Sequence, residues 1–206
     1  MKCSTIAAVA LCLTTMSAEA AQRRAWVAVG DSITYGYAHD ATPYPVRLSE
    51  LLGVPVANMG IGGDTAANIN TRFTSYALPY PYKGVIIEEC LNDLIAGTSA
   101  TTCWEATATA VDAALAEGFL VVLVTAIPCG NYVGWNGTKE TERGVYNLNV
   151  RTKAESDPAH IFLVDLDEVV SDDGTTIKAA YDYGDGLHLD GDGMQALAQA
   201  VADAIQ

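Results

Sequence analysis

The sequence predicts an α/β fold in three layers, a five-stranded parallel sheet with helices on both faces, and three observations carry that prediction. Five short apolar runs rich in valine, isoleucine and leucine recur along the chain. Segments with helical spacing lie between them, and polar residues and glycines gather just after the runs end. Runs this continuous, rather than alternating with polar residues, suit strands covered on both faces. Alternation of strand with helix implies right-handed crossovers and a ligand crevice at the carboxyl ends of the strands.

The elements follow in order. AWVAVG (25–30) is the first expected strand, and GDSITYG follows it. YPVRLSELLG places Val46, Leu48, Leu51 and Leu52 near one side of a helix. VPVAN (54–58) is the second strand, followed by NMGIGGDT, and GVIIEEC (84–90) is the third, followed by CLNDL. WEATATAVDAALAEG sets Ala108, Val111, Ala114 and Leu115 on one stripe before a stop at Gly118. FLVVLVTA (119–126) is the fourth strand, with IPCGNYVGWNG after it, and HIFLVDLD (160–167) is the fifth. Beyond it comes the acidic turn YDYGDGLHLDGDGM (181–194), then a last helix marked by Met194, Leu197, Ala198, Val201 and Ile205.

With 206 residues the chain is expected to form one domain over 21–206. Residues 1–20 read as a cleavable export signal: one basic residue, Lys2, an apolar run from Ile6 to Leu13, and a small-x-small ending at Ala18-Glu19-Ala20. The run is too short to span a bilayer, so a secreted or periplasmic protein is expected. The formal net charge is −14, and losing Lys2 with Glu19 leaves it unchanged. So acidic a chain repels nucleic acid and anionic membranes, which excludes both as expected partners. Cys90, Cys103 and Cys129 follow the signal; two of them are expected to pair, and none has zinc-site spacing.

Ser32 stands directly after the first strand, where a tight strand-to-helix turn exposes a hydroxyl. Serine is a weak nucleophile unless a base takes its proton. Of the three histidines, His39 falls in a loop and His160 opens a strand, whereas His188 lies at the strand ends with Asp185 three residues before it. That turn can bring a carboxylate to one ring nitrogen while the other faces the serine. Gly60, Gly62 and Gly63 offer backbone that approaches a ligand closely, and Asn92 offers an amide after the third strand; both can stabilise an oxyanion. In the acidic turn, Asp190 and Asp192 suit the start of the last helix, with a bound cation as the weaker alternative, and Asp182 is expected in solvent.

Taken together these blocks resemble the SGNH (GDSL-type) hydrolases, a family of esterases and lipases. Gly30-Asp31-Ser32-Ile33 resembles the first block, with Ile33 in place of leucine; Asn58, Gly60, Gly63 and Thr65 the second; Asn92 and Asp93 the third; and Asp185, Gly186, Leu187 and His188 the last. The resemblance implies a flavodoxin-like sheet and a serine esterase without cofactor or metal, expected to act as a monomer on small-molecule or carbohydrate esters of short acyl groups; the alternatives are a thioesterase or lysophospholipase of the same family, or a catalytically silent carbohydrate-binding protein. It implies Ser32, Asp185 and His188 as the catalytic residues, with the Ser32 and Gly63 amides and the Asn92 side chain as oxyanion donors. Asp31, Tyr132 and Trp135 are expected at the substrate, with Trp104 near. One residue departs from the family pattern: Cys90 stands where glycine is usual. Cys103 with Cys129 is the expected bridge, because a bridge at Cys90 would constrain Asn92. Glu88 and Glu89 are adjacent in a covered strand, so at least one is expected to be partly buried.

Overall fold

The computed structural model describes residues 25–37 and 42–206. The expected export signal, its cleavage site and His39 lie outside these residues. The strands are β1 (Trp26–Gly30), β2 (Val56–Gly60), β3 (Gly84–Glu88), β4 (Leu120–Val124) and β5 (Ile161–Val164). They form one parallel sheet in the order β2-β1-β3-β4-β5, the flavodoxin-like arrangement. β1 is buried throughout, as its unbroken apolar sequence requires, and so is β3 with its terminal Glu88, whereas β2 lies at the edge and is only half-buried. β2 also runs two residues later than VPVAN suggested, and its Gly60 pairs with Gly30 at the carboxyl end of β1.

Eight helices are described: α1 (Ser32–Tyr35), α2 (Tyr44–Leu52), α3 (Ala66–Tyr76), α4 (Leu91–Ala96), α5 (Ala100–Ala116), α6 (Gly137–Ser156), α7 (Leu166–Val169) and α8 (Gly191–Ala204). One apolar layer joins the sheet to α3, α5 and α6 through Ile69, Phe73, Val111 and Val150; the other joins it to α2 and α8 through Tyr44, Leu48, Leu197 and Val201. These two layers make the three-layer architecture. On α2 the buried residues are Tyr44, Pro45 and Leu48, while Val46 and Leu51 face solvent, so only part of the expected stripe is covered. α3 buries Ala66, Ile69 and Phe73 at helical spacing, whereas α6 carries no clean apolar repeat in sequence. The buried face of α6 includes Arg143 and Asn147, which bond the Ala126 carbonyl at the end of β4, so polar side chains take core positions.

Two glycines bring the chain together at the site edge. A Cβ on Gly60 would overlap the backbone of Tyr35, so α1 can lie against β2 only because residue 60 has no side chain. At Gly62 the nearest atom to such a Cβ, that of Ser32, is 3.8 Å away. Gly60→Ala is therefore expected to lose about 1–3 kcal/mol of stability in urea unfolding, as overpacking does, whereas Gly62→Ala should unfold at nearly the parent midpoint.

Candidate active site

Three strand ends and one late turn build the site. Asp31 ends the first strand turn and caps α1, its Oδ1 accepting the Ile33 amide at 2.9 Å. Ser32 is thereby the first residue of α1, 8% exposed, with its hydroxyl at the carboxyl edge of the sheet. Far along the chain, Gly184 and Gly186 adopt positive φ and let residues 182–189 fold back. Asp182, expected in solvent, is half-buried, and its Oδ1 accepts the Gly184 and Gly186 amides at 2.8 and 3.1 Å and so braces the turn. Asp185 Oδ1 accepts the amides of Leu187 and His188, both at 2.9 Å, and its Oδ2 lies 2.6 Å from His188 Nδ1. The other ring nitrogen, Nε2, lies 3.0 Å from Ser32 Oγ. Burial acts to raise the Asp185 carboxyl, but its bonds to the His188 ring and to the two amides hold it below the usual carboxylate range.

The oxyanion candidates surround the same hydroxyl. No hydrogen bond uses the Ser32 or Gly63 amide among the described residues, and Gly63 adopts φ +83°. Asn92 is placed differently from the expectation of a free donor. Its Nδ2 donates both to Asp31 Oδ2 at 2.9 Å and to the Asp64 carbonyl at 3.0 Å, so an oxyanion must share or displace one of these bonds. The next residue, Asp93, accepts the Ala66 amide at 2.9 Å and caps the loop that carries Gly63 from the other side. Arg72 completes the brace, donating to the Met59 and Gly30 carbonyls and to Asp64.

Residues 28–196 match the family described as GDSL-like lipase/acylhydrolase. The chain belongs to that family. Its members are carboxylic ester hydrolases, and this chain is one. Similar solved structures include a protein assigned to the lipolytic G-D-S-L family of Desulfitobacterium hafniense, at TM-score 0.76 and 20% identity over 88% of this chain and 99% of that one. A GDSL-like lipase from Bacteroides thetaiotaomicron follows at TM-score 0.74 and 19% identity over 92% and 94%. A mutant acetyl-xylooligosaccharide esterase from Geobacillus superposes at TM-score 0.70 with 20% identity over 88% and 94%. No curated protein matches the chain by sequence.

Around the GDSL-family serine, the remaining expected residues divide. Tyr132 packs beside the fold-back turn, because a Cβ on Gly186 would meet the Asn131–Tyr132 backbone at 2.6–2.9 Å. Trp135 is tied into its own loop, its indole donating to Glu140 at 2.9 Å. Trp104 packs on Tyr146 in the α5–α6 layer. The sequence reading missed Tyr37, whose ring lies 4.5 Å from that of His188; an aromatic just past the GDSITYG turn was the available signal. Asp190 caps α8 by accepting the Gly193 amide, as expected of that end of the acidic turn. No cluster that could hold a metal ion occurs among the described residues.

The bridge differs from the expectation: Cys90 pairs with Cys103, and Cys129 is free and buried, its thiol pushed up to about 12 by burial. Cys90 has φ +86°, a left-handed conformation that costs a side-chain-bearing residue about 1–2 kcal/mol and glycine almost nothing. That is the physical reason glycine suits this position in the GDSL family, and the spacing of three cysteines held no sign of it.

Both strand glutamates are fully buried. Glu88 accepts the Thr34 hydroxyl at 3.0 Å, and burial with the neighbouring Asp31 carboxyl pushes it well up. Burial raises Asp31 itself to about 6, although the Ile33 amide, Glu88 and His188 all favour its charge. Asp31 accepts on both oxygens, from the Ile33 amide and from Asn92, which favours its charged form, while Glu88 beside it is raised further. Neither oxygen of Glu89 is bonded, and burial pushes it up to about 8 from an ordinary 4.5, with Thr107 the main group favouring its charge. The folded state binds this proton more tightly than the unfolded chain does. Its stabilising contribution is complete below pH 4.5 and is lost as pH rises to about 8. Unfolding measured from pH 5 to 8 should show falling stability, and Glu89→Gln should remove a part of that fall on the order of a few kcal/mol.

Proposed function

We propose that the chain is an exported serine esterase that cleaves small acyl groups, such as acetyl esters of carbohydrates or short-chain esters. The observation that carries this reading is the unbroken line from Asp185 Oδ2 through the His188 ring to Ser32 Oγ, with contacts of 2.6 and 3.0 Å. Asp185 keeps the proton of His188 on Nδ1, so Nε2 is free to take the serine proton as Oγ attacks the ester carbonyl. The negative charge that develops on the carbonyl oxygen meets the Ser32 and Gly63 amides, neither of which is bonded among the described residues, and the Asn92 side chain. His188 then gives the proton to the departing alcohol. Water, deprotonated by the same ring, releases the acyl group and restores the serine.

Support for a small acyl group comes from the surroundings. The loop after β2 spans only residues 61–65 and that after β3 only 89–90, so neither forms a lid over Ser32. Tyr37 borders the His188 ring and Tyr132 adjoins the turn that carries it, so aromatic side chains stand at the site. The structural likeness to an acetyl-xylooligosaccharide esterase agrees with a carbohydrate alcohol. No helix of the described residues is long and apolar enough to cross a membrane, and export and a monomeric state complete the proposal.

Ser32→Ala should fold as the parent does and lose nearly all turnover of nitrophenyl acetate, and His188→Ala should behave alike. Asn92→Ala, which removes one donor, should cost about 10² to 10³ in kcat. Parent-like activity of Ser32→Ala would refute the reading. Turnover should survive a chelator and fall steadily across nitrophenyl esters from acetyl to long acyl chains; a maximum at long chains would move the substrate to lipids.

A further inference from the structure

We propose that the Cys90–Cys103 bridge is a positioning device for the oxyanion side of the site: it keeps residue 90 in a left-handed conformation and thereby aims Asn92. The inference rests on the esterase reading of Ser32 and adds to it a part of the machinery that lies outside the reacting atoms.

Cys90 is the sole non-glycine residue with positive φ among the described residues. It is also the N-cap of α4, and its side chain makes no capping bond there. Helix α4 has only six residues, too few to be stable on its own, so its direction is set by what fixes its first turn. The first three residues of that helix face the site framework. Leu91 is buried, Asn92 reaches Asp31 and the Asp64 carbonyl, and Asp93 receives the Ala66 amide. One backbone rotation at residue 90 therefore moves three contacts at once, two of them to the loop that carries Gly63.

A cysteine free of its partner has every reason to leave φ +86°, because its Cβ disfavours that region. The bridge prevents this by tying residue 90 to the first turn of α5, a 17-residue helix packed against α3 and the sheet. That turn is itself fixed by Ser99 as N-cap and by Glu142, which accepts the Ala100 amide at 2.7 Å. Both cysteines are buried, so the anchor is part of the interior. Glycine needs no such anchor. Leu91 and Leu94 still pack α4 against the core when the bridge is absent, so the result is a misaimed donor rather than a lost helix.

The test compares Cys103→Ala with the double variant Cys90→Gly/Cys103→Ala, using nitrophenyl acetate and urea unfolding in parallel. Cys103→Ala should lose about tenfold in kcat, a fraction of the loss from removing one donor, with KM within about twofold of the parent. The double variant should recover kcat to within about threefold, since glycine adopts the required conformation unaided, although it too lacks the bridge and is less stable than the parent. A parent-like kcat in Cys103→Ala shows a bridge that serves stability alone and overturns the inference. So does a double variant that is as slow as the single one, or that fails to fold. If Cys103→Ala does not fold, a folded double variant with near-parent kcat carries the result. Ser32→Ala run beside them separates the two readings: activity retained there refutes the esterase reading, whereas its loss beside a parent-like Cys103→Ala refutes only the role of the bridge.

Discussion

The carboxyl group of Asp31 is the constraint on which the site depends. One oxygen caps the first turn after β1 and so presents Ser32, while the other accepts Asn92 from the turn after β3. Two adjacent strands thus have their ends locked by a single buried side chain, and the proposed nucleophile and a proposed oxyanion donor are fixed by the same group. Asn92 in turn reaches the loop after β2, so three consecutive positions of the sheet share one hydrogen-bonded frame. A carboxylate in such a place is hard to desolvate. It is tolerated because its donors favour the charge and because burial raises Glu88, beside it, well above the usual carboxylate range.

That arrangement shows how a strongly acidic chain places acids in its interior. Glu88 ends β3 and Glu89 follows it, and both are buried, Glu88 against Thr34 on the α2 side of the sheet and Glu89 beside Thr107 of α5 on the other. Among the described residues neither is paired with a basic residue, and burial raises both, which favours the uncharged form. Buried basic groups behave otherwise. Arg143 is 2% exposed and is met by Glu140, Asp167 and two carbonyls, which together fasten α6 to the ends of β4 and β5.

Much of this was legible in sequence, and the exceptions have physical causes. The strands announced themselves because both faces are covered, and the edge strand, with one face less buried, was placed two residues early. α5 and α8 follow their apolar stripes, but α6 hid its period by burying Arg143 and Asn147. At the site, Ser32, Asp185 and His188 could be named because their residue types and spacing are unusual, and the structure brings them within bonding distance. The disulfide could not be read, since three cysteines allow three pairings and only the backbone at residue 90 distinguishes them. Asp182 and Tyr37 act through contacts that form only once the turn closes.

The turn that holds Asp185 and His188 lies after all five strands, and its contact with Ser32 spans 156 positions of sequence. The proposed base and its orienter are three residues apart, so one short turn carries both. Ser32, Gly63 and Asn92 follow the first three strands, whereas this turn comes from the far end of the chain. The hydroxyl and its proposed activators are therefore joined only by the complete fold.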